Sequence, residues 1–149
     1  MIHKERLKVI VKNIREEVLN RLRMSEDLSE IKRVVYGEKV RIGSLPTPAI
    51  WVVPAPYVPD LSGGHTTGHD ITYDFVSLVK SNKPEEGLIK AIEFSYEIYD
   101  VLMADRQLGG LVSDIRPLRI DPSYEMGNST QVYWSNIQFA FRFKRREKS

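Results

Sequence analysis

The stretch Thr130 to Lys144, TQVYWSNIQFAFRFK, alternates over its whole length. Tyr133, Ile137, Phe139, Phe141 and Phe143 fall on one side of an extended chain, and Trp134, Asn136, Gln138, Arg142 and Lys144 on the other. A period of two marks a half-buried strand, because successive side chains leave a strand on opposite faces. One face is therefore expected to be core and the other wet or pressed against another subunit. His69 to Lys80 has the same pattern, with Ile71, Tyr73 and Phe75 on one face and Thr72, Asp74 and Val76 on the other.

The segments around these two strands follow from the same kind of reading. Leu111 to Ile120 is strand-like but interrupted at Pro117. A proline gives no N–H to a ladder, so this strand belongs at a sheet edge or carries a bulge. Asp121 to Ser129 is a turn region. Upstream, Pro84 opens a helix with Glu85 and Glu86 in its first turn, where carboxylates favour the positive end of the helix dipole. Its expected apolar stripe is Leu88, Ile92, Tyr96 or Ser95, Tyr99, and Leu102 or Met103, with Gly109 and Gly110 as the stop.

Ala49 to Val53 is a strand bracketed by Pro46, Pro48 and Pro54. The Pro, Gly, Ser, His and Thr rich segment 54–69 reads as a hairpin loop, longer than compact domains ordinarily use. Ile31 to Tyr36 and Glu38 to Ile42 are β-prone runs around Gly37, which is a tight turn or a bulge in one bent strand. Leu7, Ile10, Val11, Ile14, Val18 and Leu22 recur at steps of three and four, giving an amphipathic helix over about residues 3 to 23.

The expected fold class is α+β in the order α-β-β-β-α-β-β, with pairs of strands able to close as hairpins. A mainly antiparallel sheet would be packed by two helices. The chain reads as a single domain over residues 1–149, with the N-terminal helix at 1–24, the long hairpin loop at 54–69, the second helix at 84–104 and a basic tail at 145–149.

Composition narrows the function classes. At 149 residues the chain has the size at which one core forms readily, and its 42% apolar and 28% charged content is that of a folded protein. The absence of cysteine excludes disulfides, thiolate chemistry and Cys-based metal sites. A charged start with no long apolar run leads us to expect no cleaved signal peptide and an intracellular, soluble protein. The net charge of +2 is unevenly placed: residues 1–23 hold seven Lys or Arg against three Glu, and residues 142–149 hold five basic side chains and one Glu. Such ends can meet phosphates, but they read first as a solvated helix face and a frayed tail.

No catalytic constellation stands out, and the chain is not expected to be an enzyme or to carry a cofactor or metal. His65 and His69 with Asp70 have the only spacing suggestive of a metal-dependent hydrolase. Gly63, Gly64 and Gly68 argue against the helix such a pair needs, and the intervening Glu is absent. Asp60, Asp70, Asp74, Asp100, Asp105 and Asp114 sit in no diagnostic motif. Ser62, Gly63 and Gly64 lack the Lys and following helix of a phosphate-binding loop. Tyr73, Phe75, Tyr133, Trp134, Phe139, Phe141 and Phe143 lie on strands, where an open sheet could stack bases in a small nucleic-acid-binding module. Their alternation with polar residues reads as core instead, with Trp134 the exception.

The run PAIWVVPAP (48–56), the long loop into HDITYDFVSLV (69–79), and the helix LIKAIEFSYEIYDVLMAD (88–105) leading to RQLGGLVSDI (106–115) and a final long strand carry a resemblance. Together with the N-terminal helix they cover nearly the whole chain, which resembles the tail terminator and tail completion (head-tail joining) proteins of long-tailed phages and proviruses. Its most characteristic piece is Leu108, Gly109, Gly110 and Leu111 after the helix. The resemblance implies a structural virion protein that forms a homo-oligomeric ring, a hexamer, ending the tail tube and joining it to the neck. The implied partners are further copies of itself and the tail tube and neck proteins, with no small-molecule substrate and no membrane. The implied location is the virion tail, and the host cytoplasm during assembly. On that reading the long loop reaches a neighbour, with Trp51, Tyr57, Asp60, His65 and Trp134 as interface residues.

Overall fold

The computed structural model describes residues 3–4, 6–37, 45–55, 68–125, 131–144 and 147–148. Its strands are β1 (His3–Lys4), β2 (Arg33–Tyr36), β3 (Ala49–Pro54), β4 (Gly68–Ser81), β5 (Asp114–Glu125), β6 (Gln131–Lys144) and β7 (Glu147–Lys148). Helix α1 (Leu7–Met24) precedes β2 and helix α2 (Pro84–Met103) follows β4. The fold is α+β: two helices on a five-stranded mixed sheet of order β2-β3-β4-β6-β5, with a separate pairing of β1 and β7.

The two alternating segments form the centre of the sheet. β4 and β6 pair antiparallel along their whole lengths, from Gly68 opposite Lys144 to Ser81 opposite Gln131. Their apolar faces meet the helices in one core, where Phe75 and Phe139 stack edge to face at 5.6 Å and Tyr73 and Phe141 at 5.7 Å. Each such side chain contributes about 1.5–3 kcal/mol by leaving water. Pro117 lies on β5, an edge strand, and a bulge there leaves Leu118 without a partner in the ladder.

Four expectations need correction. The sheet is mainly antiparallel but not at its first edge: β2 runs parallel to β3, with Gly37 N–H and Lys32 N–H extending the ladder to the Val52 and Pro48 carbonyls. Residues 37–48 separate the two strands, a connection of the length a parallel crossover requires. The expected strand Glu38 to Ile42 lies outside the described residues. Helix α1 starts at Leu7 rather than near residue 3, because His3 and Lys4 are extended in a ladder with Lys148 and Glu147. By the same pairing, part of the expected frayed tail is strand.

The fourth correction is the stripe of α2, in which Ser95 and Leu102 are buried as expected but Leu88, Ile92, Tyr96 and Tyr99 do not form the buried row. Its buried residues are Gly87, Ala91, Phe94, Ser95, Ile98 and Leu102. Tyr96 points outward and is 56% exposed. Small residues four apart let the helix lie close on β6. A Cβ at Gly87 would stand 2.4 Å from Tyr133 Cδ2, and Ser95 Oγ donates to Ser135 Oγ at 2.7 Å in the core. A tyrosine in this row would hold the helix off the sheet.

Candidate interface

Because β4 and β6 alternate, the sheet has a second face, and no described helix packs on it. β3 and β5 add to that face from either side. Trp51 on β3 stands opposite Val76, and Trp134 on β6 stands opposite Leu78. Both tryptophans of the chain are therefore on the helix-free face, on either side of β4, and both are half-buried. Trp51 is held in place by its indole N–H, which donates to the Gly37 carbonyl. Gly37 has φ +131°, a conformation only glycine adopts easily, so this carbonyl is aimed by a residue that few others could replace.

Beside the tryptophans lies a polar cluster. Asp74 accepts hydrogen bonds from Asn136 Nδ2 at 2.9 Å and Gln138 Nε2 at 3.0 Å. Thr72 Oγ1 and Asn136 Oδ1 are buried without a hydrogen-bond partner among the described residues. One row further on, Arg142 donates to Asp70 at 3.3 Å, and Asp70 is 7% exposed. Across β6, Asp114 is the register partner of Arg142. Arg106 holds Asp114 at 2.9 Å, and Arg119 holds Asp121 at 3.0 Å. The face thus grades from aromatic and apolar near Trp51, Val76 and Trp134, where Leu78 and Ala49 are already buried, to charged and self-paired near Arg142.

Of the expected interface residues, the structure brings Trp51 and Trp134 to one face. Tyr57, Asp60 and His65 lie outside the described residues, as do Ser62, Gly63, Gly64 and most of the loop. β3 and β4 are antiparallel neighbours, so that loop does close a hairpin. His69 and Asp70 do not share a site. His69 stacks on Phe143 at 5.4 Å on the helix side, while Asp70 meets Arg142 on the other. Among the described residues there is no group of three His, Asp or Glu placed to hold a metal. Tyr73, Phe75, Tyr133, Phe139, Phe141 and Phe143 are all buried under the helices, so they offer no rings to a nucleic acid, while Trp134 stays on the opposite face.

Leu108 to Leu111, the most characteristic stretch of the sequence, forms a tight turn. Leu108, Gly109 and Gly110 are consecutive residues in left-handed conformation at φ 50°, 66° and 93°. For Leu108 that costs about 1–2 kcal/mol, sustained by complete burial of its side chain. Asp105 accepts from Gly109 N–H at 2.8 Å and Gln107 N–H at 3.2 Å, and its Oδ2 is 2.9 Å from Arg21 Nη1 on α1. The Arg21 hydrogen bond, followed by the Gly109 amide, holds the Asp105 carboxyl below its ordinary range. The stretch therefore sits at the joint that ties α1 to the end of α2.

The amino-acid sequence alone does not single out the Asp74, Asn136 and Gln138 cluster. Alternation puts all three on the non-core side, but only the register between β4 and β6 makes them neighbours. No helix among the described residues is long and apolar enough to cross a membrane. No known family model matches this sequence, and no curated protein is similar to it.

Proposed function

We propose that this chain is a structural assembly protein, one subunit of a homo-oligomeric ring that ends a viral tail tube and joins it to the neck. The observation that carries the reading is the placement of both tryptophans on one helix-free sheet face, fixed there by β-sheet register and by the Trp51 to Gly37 bond. Tryptophan is enriched in the energetic centres of protein interfaces, where a large rigid side chain loses little entropy on contact. The polar cluster alongside, Asp74 with Asn136 and Gln138, is held in place by its own hydrogen bonds and borders the tryptophans on that face.

On this reading the helices face away from the tube or neck and the sheet lies toward it. The ring, its hexameric count, the tube and the neck come from the sequence resemblance, and the chain carries out no reaction. Electron microscopy of particles made by the encoding genome, with and without this chain, tests the reading. Tails of uncontrolled length, or heads and tails left unjoined, are expected without it, and normal particles would contradict it. Deleting residues 57–67 is expected to impair joining, and a deletion that leaves oligomer size and tail assembly unaltered would remove the loop from the account.

A further inference from the structure

The two helices carry opposite charge on surfaces that point in different directions. On α1, Lys8, Lys12, Arg15 and Arg23 fall in one narrow sector of the helix at 100° per residue, with Glu16 at its edge 4.0 Å from Lys12 Nζ. Arg15 lies 5.3 Å over the Tyr36 ring and Arg23 donates to the Val34 carbonyl at 2.9 Å, so this sector borders β2. Lys32 and Arg33, both exposed, extend the same border. The opposite side of α1 faces α2, as the Arg21 to Asp105 pair at 2.9 Å shows. The basic border is thus on the far side of α1 from α2.

Helix α2 presents the reverse. Glu93 and Asp100 are exposed on its outward sector with the half-buried Glu97 between them, and Glu26, Asp27 and Glu30 stand beside them in the 3-10 turn Glu26–Leu28 and the residues after it. Lys90, bound to Glu30 at 3.0 Å, is the basic group set among them. Burial raises the Glu97 carboxyl above its ordinary range and Lys90 pulls it back, while Asp27, Glu30 and Glu93 raise it further. Ile89 and Tyr96, 49% and 56% exposed, add apolar area to the same outward side.

We infer that copies of this chain associate head to tail, the basic α1 and β2 border of one copy seated on the acidic α2 surface of the next. Two different patches that fit each other make a heterologous contact, which closes into a ring when the rotation permits. The inference rests on the assembly reading above and supplies the lateral contact that reading lacks. It leaves the tryptophan face free for the tube or neck. A contact of this kind speeds and orients association and weakens as salt screens it.

Sedimentation of three full-length chains tests this at ~0.01 M ionic strength, where the Debye length is ~30 Å. These are the parent, a Lys8→Glu/Lys12→Glu variant and a Glu93→Lys/Asp100→Lys variant, each checked for cooperative unfolding. The parent is expected to associate and to dissociate as salt rises. Each variant alone should associate ~10-fold or more weakly, since like charges then oppose each other, and an equimolar mixture of the two should associate again. A parent that stays monomeric overturns the contact. So do variants that associate as the parent does, although assembly itself then stands. If the Lys8→Glu/Lys12→Glu variant loses binding to duplex DNA while self-association is unchanged, the border is a phosphate surface and the contact is overturned.

Discussion

Single residues show most directly why this sequence needs this packing. Gly87 is required because α2 lies on Tyr133, and a Cβ in its place would stand only 2.4 Å from the ring. Gly87→Ala gains ~1 kcal/mol of helix propensity but overpacks the site at a cost of ~1–3 kcal/mol. A net loss of stability in urea unfolding is expected, and a gain would show that Tyr133 is free to move. Asp105 makes a different kind of link. Its folded pKa lies below the ordinary 3.8, mainly through Arg21, so its stabilisation is present above pH 3.8 and is lost as pH falls through the lowered value. Asp105→Asn should therefore be less stable than the parent at pH 7, with the gap closing in acid below pH 3.8. Thermal melts across that range check it, and a gap independent of pH would contradict the charge argument.

At the scale of elements, the pairing of α2 with β6 depends on the buried hydroxyls of Ser95 and Ser135, 2.7 Å apart. Ser95→Ala leaves the Ser135 hydroxyl buried without its partner, at ~1–3 kcal/mol, and Ser135→Ala leaves Ser95 only the Ser135 carbonyl at 3.3 Å, whereas removing both leaves neither hydroxyl unsatisfied. Ser95→Ala/Ser135→Ala should thus cost less than the sum of the single changes, by ~1 kcal/mol in a double-mutant cycle. Simple additivity would mean that the pair does not hold helix to sheet. The same element shows what is legible in the sequence. The alternation of residues 69–80 and 130–144 assigns the correct faces, because a period of two needs no knowledge of neighbours. Pro117 announces an edge or a bulge, and both are present. The stripe of α2 is misleading because Leu88, Ile92 and Tyr96 are the more apolar choice, whereas contact with Tyr133 and Ser135 selects for size at Gly87, Ala91 and Ser95. The direction of β2 and the meeting of Asp74 with Asn136 and Gln138 are hidden for a related reason: both are set by pairing between distant segments, which a local pattern does not contain.

As a whole molecule the protein puts its helices on one side of a sheet and its tryptophans on the other. Among the described residues no helix covers the tryptophan face, and a domain that needed only to fold would have little use there for two half-buried indoles, whose apolar area in contact with water is a liability for solubility. Trp134 can be anticipated from alternation alone. Trp51 joins it only once β3 is seen beside β4. Co-sedimentation with isolated tail tubes from the encoding genome, comparing the parent with Trp51→Ser/Trp134→Ser, asks whether this face joins the tube. The parent is expected to pellet with the tubes, while the variant, still unfolding cooperatively, stays in the supernatant. Equal binding by both chains, or binding by neither, would contradict the assignment of that face as the joining surface.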